Sequence, residues 1–125
     1  DYLYIQTKIY RKIGLYDESL LGYKKLIKLG CVSANILMES ADLLKKINEI
    51  KEAINILKKG LKQNKNHSEL LARLGAYLFL DGQKDLARKY LHKANTINPE
   101  IYIKLFNHIP ALQNNDIFKK ILNLK

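Results

Sequence analysis

Apolar residues in this chain return every three or four positions and never alternate for long. Ile5, Ile9 and Ile13 do so near the start, and Leu71, Leu74 and Leu78 do so further on. Such spacing lines one face of an α-helix, which turns once in about 3.6 residues, and does not fit a strand. The pattern predicts helices over 2–13, 18–29, 34–46, 50–63, 68–80 and 83–96, then two shorter ones over 100–107 and 115–124.

Stop and start signals sit between these runs. Gly14 ends the first helix, and Asp17 is placed to cap the second by accepting its free N–H groups. Gly30 closes the second helix, and Ser33 caps the third. Asn66, with Glu69 three residues later, reads as a capping box. Pro99 suits the first turn of the seventh helix, where its missing N–H costs nothing, and His108-Ile109-Pro110 reads as a bend.

The stretch 66–99 holds two such helices around Asp81-Gly82, with small residues at Gly75, Ala87 and Ala94, where a close crossing would need them. Stepping back about 34 residues at a time aligns seven columns without an insertion. Gly75 falls on Ala41 and Thr7, Leu78 on Leu44 and Tyr10, and Gly82 on Asn48 and Gly14. Ala87 falls on Ala53 and Ser19, Leu91 on Leu57 and Tyr23, Ala94 on Gly60 and Leu26, and Leu71 on Leu37 and Leu3. A residue that tolerates positive φ therefore recurs at each turn inside a pair. This pattern resembles the tetratricopeptide repeat, a helix–turn–helix unit of about 34 residues with a mid-helix Gly or Ala, later Ala residues and a terminal Pro. Thr7, Leu26, Cys31 and Lys65 depart from it.

What the resemblance implies is an all-α, right-handed solenoid of antiparallel helix pairs. The expected repeats are 1–33, 34–67 and 68–101, with a degenerate repeat or capping helices over 102–125, in one domain that reads as a piece of a longer chain. Each hairpin alone buries too little to offset about 1–2 kcal/mol of backbone entropy per residue, so neighbouring hairpins must stack. In this family the first helix of each pair faces a concave groove where partners are recognised. Carried over by position, that groove receives Tyr4, Lys8, Arg11 and Lys12 from the first copy, and Met38, Glu39, Asp42 and Lys46 from the second. From the third it receives Arg73, Phe79 and Leu80. Phe79 and Leu80 are equally able to close the core against the last helices. One branch of the family grips the terminal carboxylate of chaperone tails. Of the matching positions Tyr4, Lys8, Glu39, Glu69 and Arg73, only Arg73 fits, and two acids stand where a carboxylate must approach.

The 125 residues carry 22 Lys and Arg against 12 Asp and Glu, a net charge of +10. Lys25, Lys59 and Lys93 are one period apart on second helices, so a basic adaptor for nucleic acid or an anionic membrane is the rival function. Against it stand the scarcity of Arg, the lack of aromatic interleaving and the absence of a nucleic-acid motif. Catalysis is not expected: His67, His92 and His108 pair with no acid or cysteine at ligand spacing, and there is no Gly-rich phosphate loop. No cofactor or metal is called for. Cys31, the single cysteine, reads as a small hydrophobe. No run is apolar enough to span a bilayer, and nothing assigns a compartment. Two apolar surfaces remain. Tyr2, Leu3, Ile5 and Ile9 exceed what one partner helix can bury and are expected to meet a preceding repeat. Ile117, Phe118, Ile121, Leu122 and Leu124 are expected to favour self-association or a partner. The sequence thus predicts a scaffold for a protein or peptide partner.

Overall fold

Helices form where the spacing of apolar residues put them. A computed structural model describes residues 2–123. It contains α1 (Tyr2–Lys12), α2 (Tyr16–Lys28), α3 (Ala34–Lys46), α4 (Ile50–Gln63), α5 (Ser68–Leu80), α6 (Lys84–Ile97), α7 (Ile101–His108) and α8 (Asp116–Ile121). A short 3-10 helix, Pro110–Asn114, occupies the expected bend, and no strand occurs among the described residues.

The turns inside the three pairs share one construction. Gly14, Asn48 and Gly82 have φ of 87°, 68° and 86°, the left-handed region that glycine and asparagine enter most cheaply. The next residue's N–H reaches back to a carbonyl five positions earlier: Leu15 to Tyr10 at 2.8 Å, Glu49 to Leu44 at 2.8 Å and Gln83 to Leu78 at 2.9 Å. These are Schellman closures, which satisfy carbonyls that the helix end leaves open. Donors and acceptors alike recur at the repeat period.

Starts were less legible. Ser33 caps α3 as expected, its hydroxyl accepting the Ile36 N–H at 3.3 Å. Asp17 instead lies in the first turn of α2, and Leu15 holds the cap position with no side-chain bond. The carboxylate there still favours the positive end of the helix dipole. His67, not Asn66, caps α5: its Nδ1 accepts the Leu70 N–H at 3.2 Å. Pro99 stands in the turn before α7, and Asn98 Oδ1 accepts the Glu100 N–H at 3.1 Å.

The chain divides into two compact units, Asp1–Gly60 and Leu61–Lys125. In the first, Tyr23, Leu26, Ile36 and Leu43 make a buried cluster on α2 and α3, with Leu3, Leu20, Ile27 and Cys31 packed against it. Cys31 thus serves as a small apolar side chain. Two departures from the repeat pattern find their reason here. Leu26 fills this core. Thr7, where the second and third copies have Ala41 and Gly75, faces Gly22 on α2. A Cβ on Gly22 would lie 2.0 Å from Thr7 Oγ1, so the small residue has moved from the first helix of the pair to the second. The displaced threonine is satisfied locally: its hydroxyl donates to Leu3 O at 2.8 Å, and Ser19 Oγ donates to Thr7 O at 2.9 Å.

In the second unit α5 packs on α6 across Gly75, where a Cβ would stand 2.6 Å from Leu91 Cγ. Phe118, fully buried on α8, meets Phe79 edge-on at 5.1 Å between ring centroids and Phe106 of α7 at 6.3 Å. Ile121 and Leu122 are buried beside it in sequence, while Ile117 remains half exposed. The apolar face expected to make α8 adhesive is therefore largely turned inward; Leu124 lies outside the described residues. His92 Nε2 joins α6 to the end of α8 through the Ile121 carbonyl, at 2.8 Å.

Candidate functional site

Four cationic side chains and one carboxylate surround a cleft of about 340 Å³ in the first unit. Its lining is Lys8, Arg11, Lys12, Tyr16, Tyr23, Glu39 and Lys46. Helix α1 supplies Lys8, Arg11 and Lys12 from adjacent turns of one face, because side chains three or four apart stand one above another. From α3 come Glu39 and Lys46, two turns apart, and from α2 Tyr16 and Tyr23.

Glu39 is the hub. The Tyr4 hydroxyl donates to its Oε2 and the Tyr23 hydroxyl to its Oε1, the latter at 3.1 Å. Burial, and then the Glu39 charge, push both tyrosine hydroxyls up to about 12. They therefore stay protonated, and remain donors, across any physiological pH. Charge-assisted bonds of this kind are about twice as strong as neutral ones, so the three helices are tied together at one carboxylate.

The cations around this hub have no acidic partner among the described residues. Lys8 rests its ammonium over the Tyr4 ring at 4.9 Å and Lys46 over the Tyr16 ring at 5.3 Å. No ion pair among the described residues involves Lys8, Arg11, Lys12 or Lys46. Four positive groups thus face one carboxylate whose two oxygens are already engaged.

Of the residues the sequence assigned to a groove, Lys8, Arg11, Lys12, Glu39 and Lys46 line the cleft, and Tyr4 joins it through Glu39. Met38 and Asp42, also on α3, are buried, with 3% and 9% exposure. On α5, Phe79 is packed against Phe118 and Leu80 is exposed. Arg73 pairs with Glu69 at 3.7 Å, and Lys104 approaches the same carboxylate at 3.5 Å. The recess beside them holds only about 10 Å³, at the threshold for a single water. Sequence reasoning missed Tyr16 and took Tyr23 for plain core. The available signal was a hydroxyl in a column otherwise filled by Leu57 and Leu91, since a buried tyrosine needs a partner for its O–H.

The histidines serve the fold. His67 caps α5, His92 bonds the Ile121 carbonyl, and His108 Nε2 lies 3.4 Å from the Tyr77 hydroxyl. No cluster of three metal-ligating side chains occurs among the described residues, and no helix there is long and apolar enough to cross a membrane.

No family model matches the chain, and no curated protein matches it. Solved structures do. The first tetratricopeptide-repeat domain of Spaghetti (RPAP3), bound to the HSP90 peptide SRMEEVD, superposes with a TM-score of 0.71 at 19% identity, over 90% of this chain and 91% of that one. The Yersinia enterocolitica type III secretion chaperone SycD, in complex with a peptide of the translocator YopD, gives 0.73 at 13% identity, over 97% and 87%. MamA from Desulfovibrio magneticus RS-1 gives 0.69 at 20% identity, over 98% and 73%. The fold is the all-α helical-repeat fold of the tetratricopeptide-repeat proteins.

Proposed function

We propose that this chain is a non-catalytic scaffold for protein–protein interaction, and that its first unit takes a peptide or an exposed segment of a partner domain into the tyrosine-lined cleft. The observation that carries this is a roomy, structurally braced cleft whose cations form no ion pair among the described residues. At about 340 Å³ it lies at the lower end of the range typical of ligand sites, which suits a few side chains of a longer segment. Its walls are helices, and Glu39 with its two tyrosines fixes their relative positions, so little ordering must accompany binding. Two of the similar structures, RPAP3 and SycD, hold peptides, which supports the same class of partner here. The structural employment of all three histidines supports a non-catalytic role.

Selection from a displayed random-peptide library tests the proposal. Peptides retained by the chain are expected to lose binding on Lys12→Glu and on Lys46→Glu. Both positions are exposed, so the fold is left intact, as circular dichroism would verify. Retained peptides that ignore both substitutions, or a library that yields no binder, would overturn the cleft as the interaction site.

A further inference from the structure

We infer that the cleft selects an extended acidic segment with carboxylates on alternate residues, held by its side chains and not by a chain terminus. This rests on the proposed peptide-binding role of the first unit. Lys8, Arg11, Lys12 and Lys46 line the cleft without an acidic partner among the described residues, and the single carboxylate in that lining, Glu39, has each oxygen occupied by a tyrosine hydroxyl. The unbalanced positive charge favours an anionic guest. Glu39 also determines where that guest sits. A second carboxylate beside it meets a like charge and finds the Tyr4 and Tyr23 protons already committed. Anions are directed instead toward the cations on either side of it, Lys8 and Lys12 on α1 and Lys46 on α3.

Spacing then restricts the pattern. Lys8 and Lys12 are one helical turn apart, about 6 Å along α1 at about 1.5 Å per residue. In an extended peptide, side chains on one side recur every second residue, about 6.6–6.8 Å apart. Alternate carboxylates therefore match successive cations of α1. Neighbouring carboxylates point to opposite sides, and only one of them can reach that wall. The rings of Tyr4 and Tyr16 under Lys8 and Lys46 restrict two of the long cationic side chains in advance, which lowers the cost of ordering them on binding. A terminal carboxylate adds one charge at one point and cannot satisfy cations spread over α1 and α3.

The test uses the whole chain and two labelled, C-terminally amidated peptides of one composition, Ala-Glu-Ala-Glu-Ala and Ala-Glu-Glu-Ala-Ala, read by fluorescence anisotropy. The alternating peptide is expected to bind roughly fivefold tighter, as one more charged contact forms. Lys12→Glu and Lys46→Glu should each weaken it about tenfold. Lys93→Glu, on the exposed face of α6, should leave it unchanged. Equal affinity for the two peptides would reduce the effect to general charge attraction and overturn the proposal. So would binding of the free-acid form of the alternating peptide but not of its amide, which would mean capture of a chain end, or full competition by inorganic phosphate at equal concentration. Library peptides that depend on the cleft yet carry no acidic residue would sink this inference while leaving the interaction role standing. If no peptide depends on the cleft, both fail.

Discussion

Glu39 draws its two hydrogen bonds from groups that lose their protons only in strong base. Both tyrosine hydroxyls sit at about 12 in the folded chain, above the ordinary 10.0. The sign follows directly. Below about pH 10 both states hold these protons and the stabilisation is complete; between about 10 and 12 the unfolded state releases them first, and the folded state loses ground. In urea unfolding, the stability gap between wild type and the Tyr4→Phe/Tyr23→Phe double variant is expected to be constant at neutral pH and to shrink over that interval. A gap that stays constant to pH 12 would mean the hydroxyls contribute nothing. The Thr7–Gly22 contact gives a second residue-scale outcome. Gly22→Ala should cost about 1–3 kcal/mol, because Thr7 Cβ as well as its hydroxyl stands within 3 Å of the new methyl. Rotating the threonine brings no relief. The same change in a Thr7→Gly background should cost less, and a double-mutant cycle by thermal melting measures the coupling.

At the scale of elements, ends of helices were easier to read than beginnings. Gly14, Asn48 and Gly82 are special because of the backbone they permit, which is a property of the residue alone. Caps depend on which of several polar neighbours reaches an N–H, and that is decided by packing. Hence Ser33 was legible, while His67 displaced Asn66 and Leu15 displaced Asp17. The final elements were harder for another reason. Phe79 was open to two readings, groove or core, until α8 returned Phe118 to within 5.1 Å of it, a contact made across many residues of sequence. The turn construction makes a prediction of its own. Gly82→Val should destabilise, since a β-branched residue at φ 86° is strained, whereas Asn48→Gly should be close to neutral. Equal melting temperatures for the two variants would count against the shared turn.

For the molecule as a whole, the repeat period carried the fold and the resemblance carried the choice of face. Part of the groove assignment gathers at one cleft because Tyr4, Lys8, Arg11, Lys12, Glu39 and Lys46 keep their register on α1 and α3. Met38 and Asp42 do not line the cleft, since burial depends on neighbours that a single-helix projection leaves out. The exposed apolar stripe on α1 was also legible: Tyr2, Ile5, Ile9 and Ile13 range from 52% to 80% exposed. We expect copies of this chain to meet through that stripe at high concentration. Light scattering should then fall on Ile9→Lys with the melting temperature unchanged. Phe118→Lys, by contrast, should lower the melting temperature, because that ring is fully buried. Scattering independent of concentration in the wild type would remove the stripe as a contact.

The tyrosine hub has a spectroscopic consequence. The chain contains no tryptophan and eight tyrosines, and three of those, Tyr4, Tyr16 and Tyr23, stand at the cleft under a cation or against a carboxylate. Ultraviolet absorption and emission of a phenol respond to both surroundings. A guest that draws Lys8 or Lys46 away from its ring alters the signal of the ring it leaves, with no indole emission to mask the change. Occupancy of the cleft is therefore readable in the native chain by tyrosine difference spectroscopy, without any attached probe.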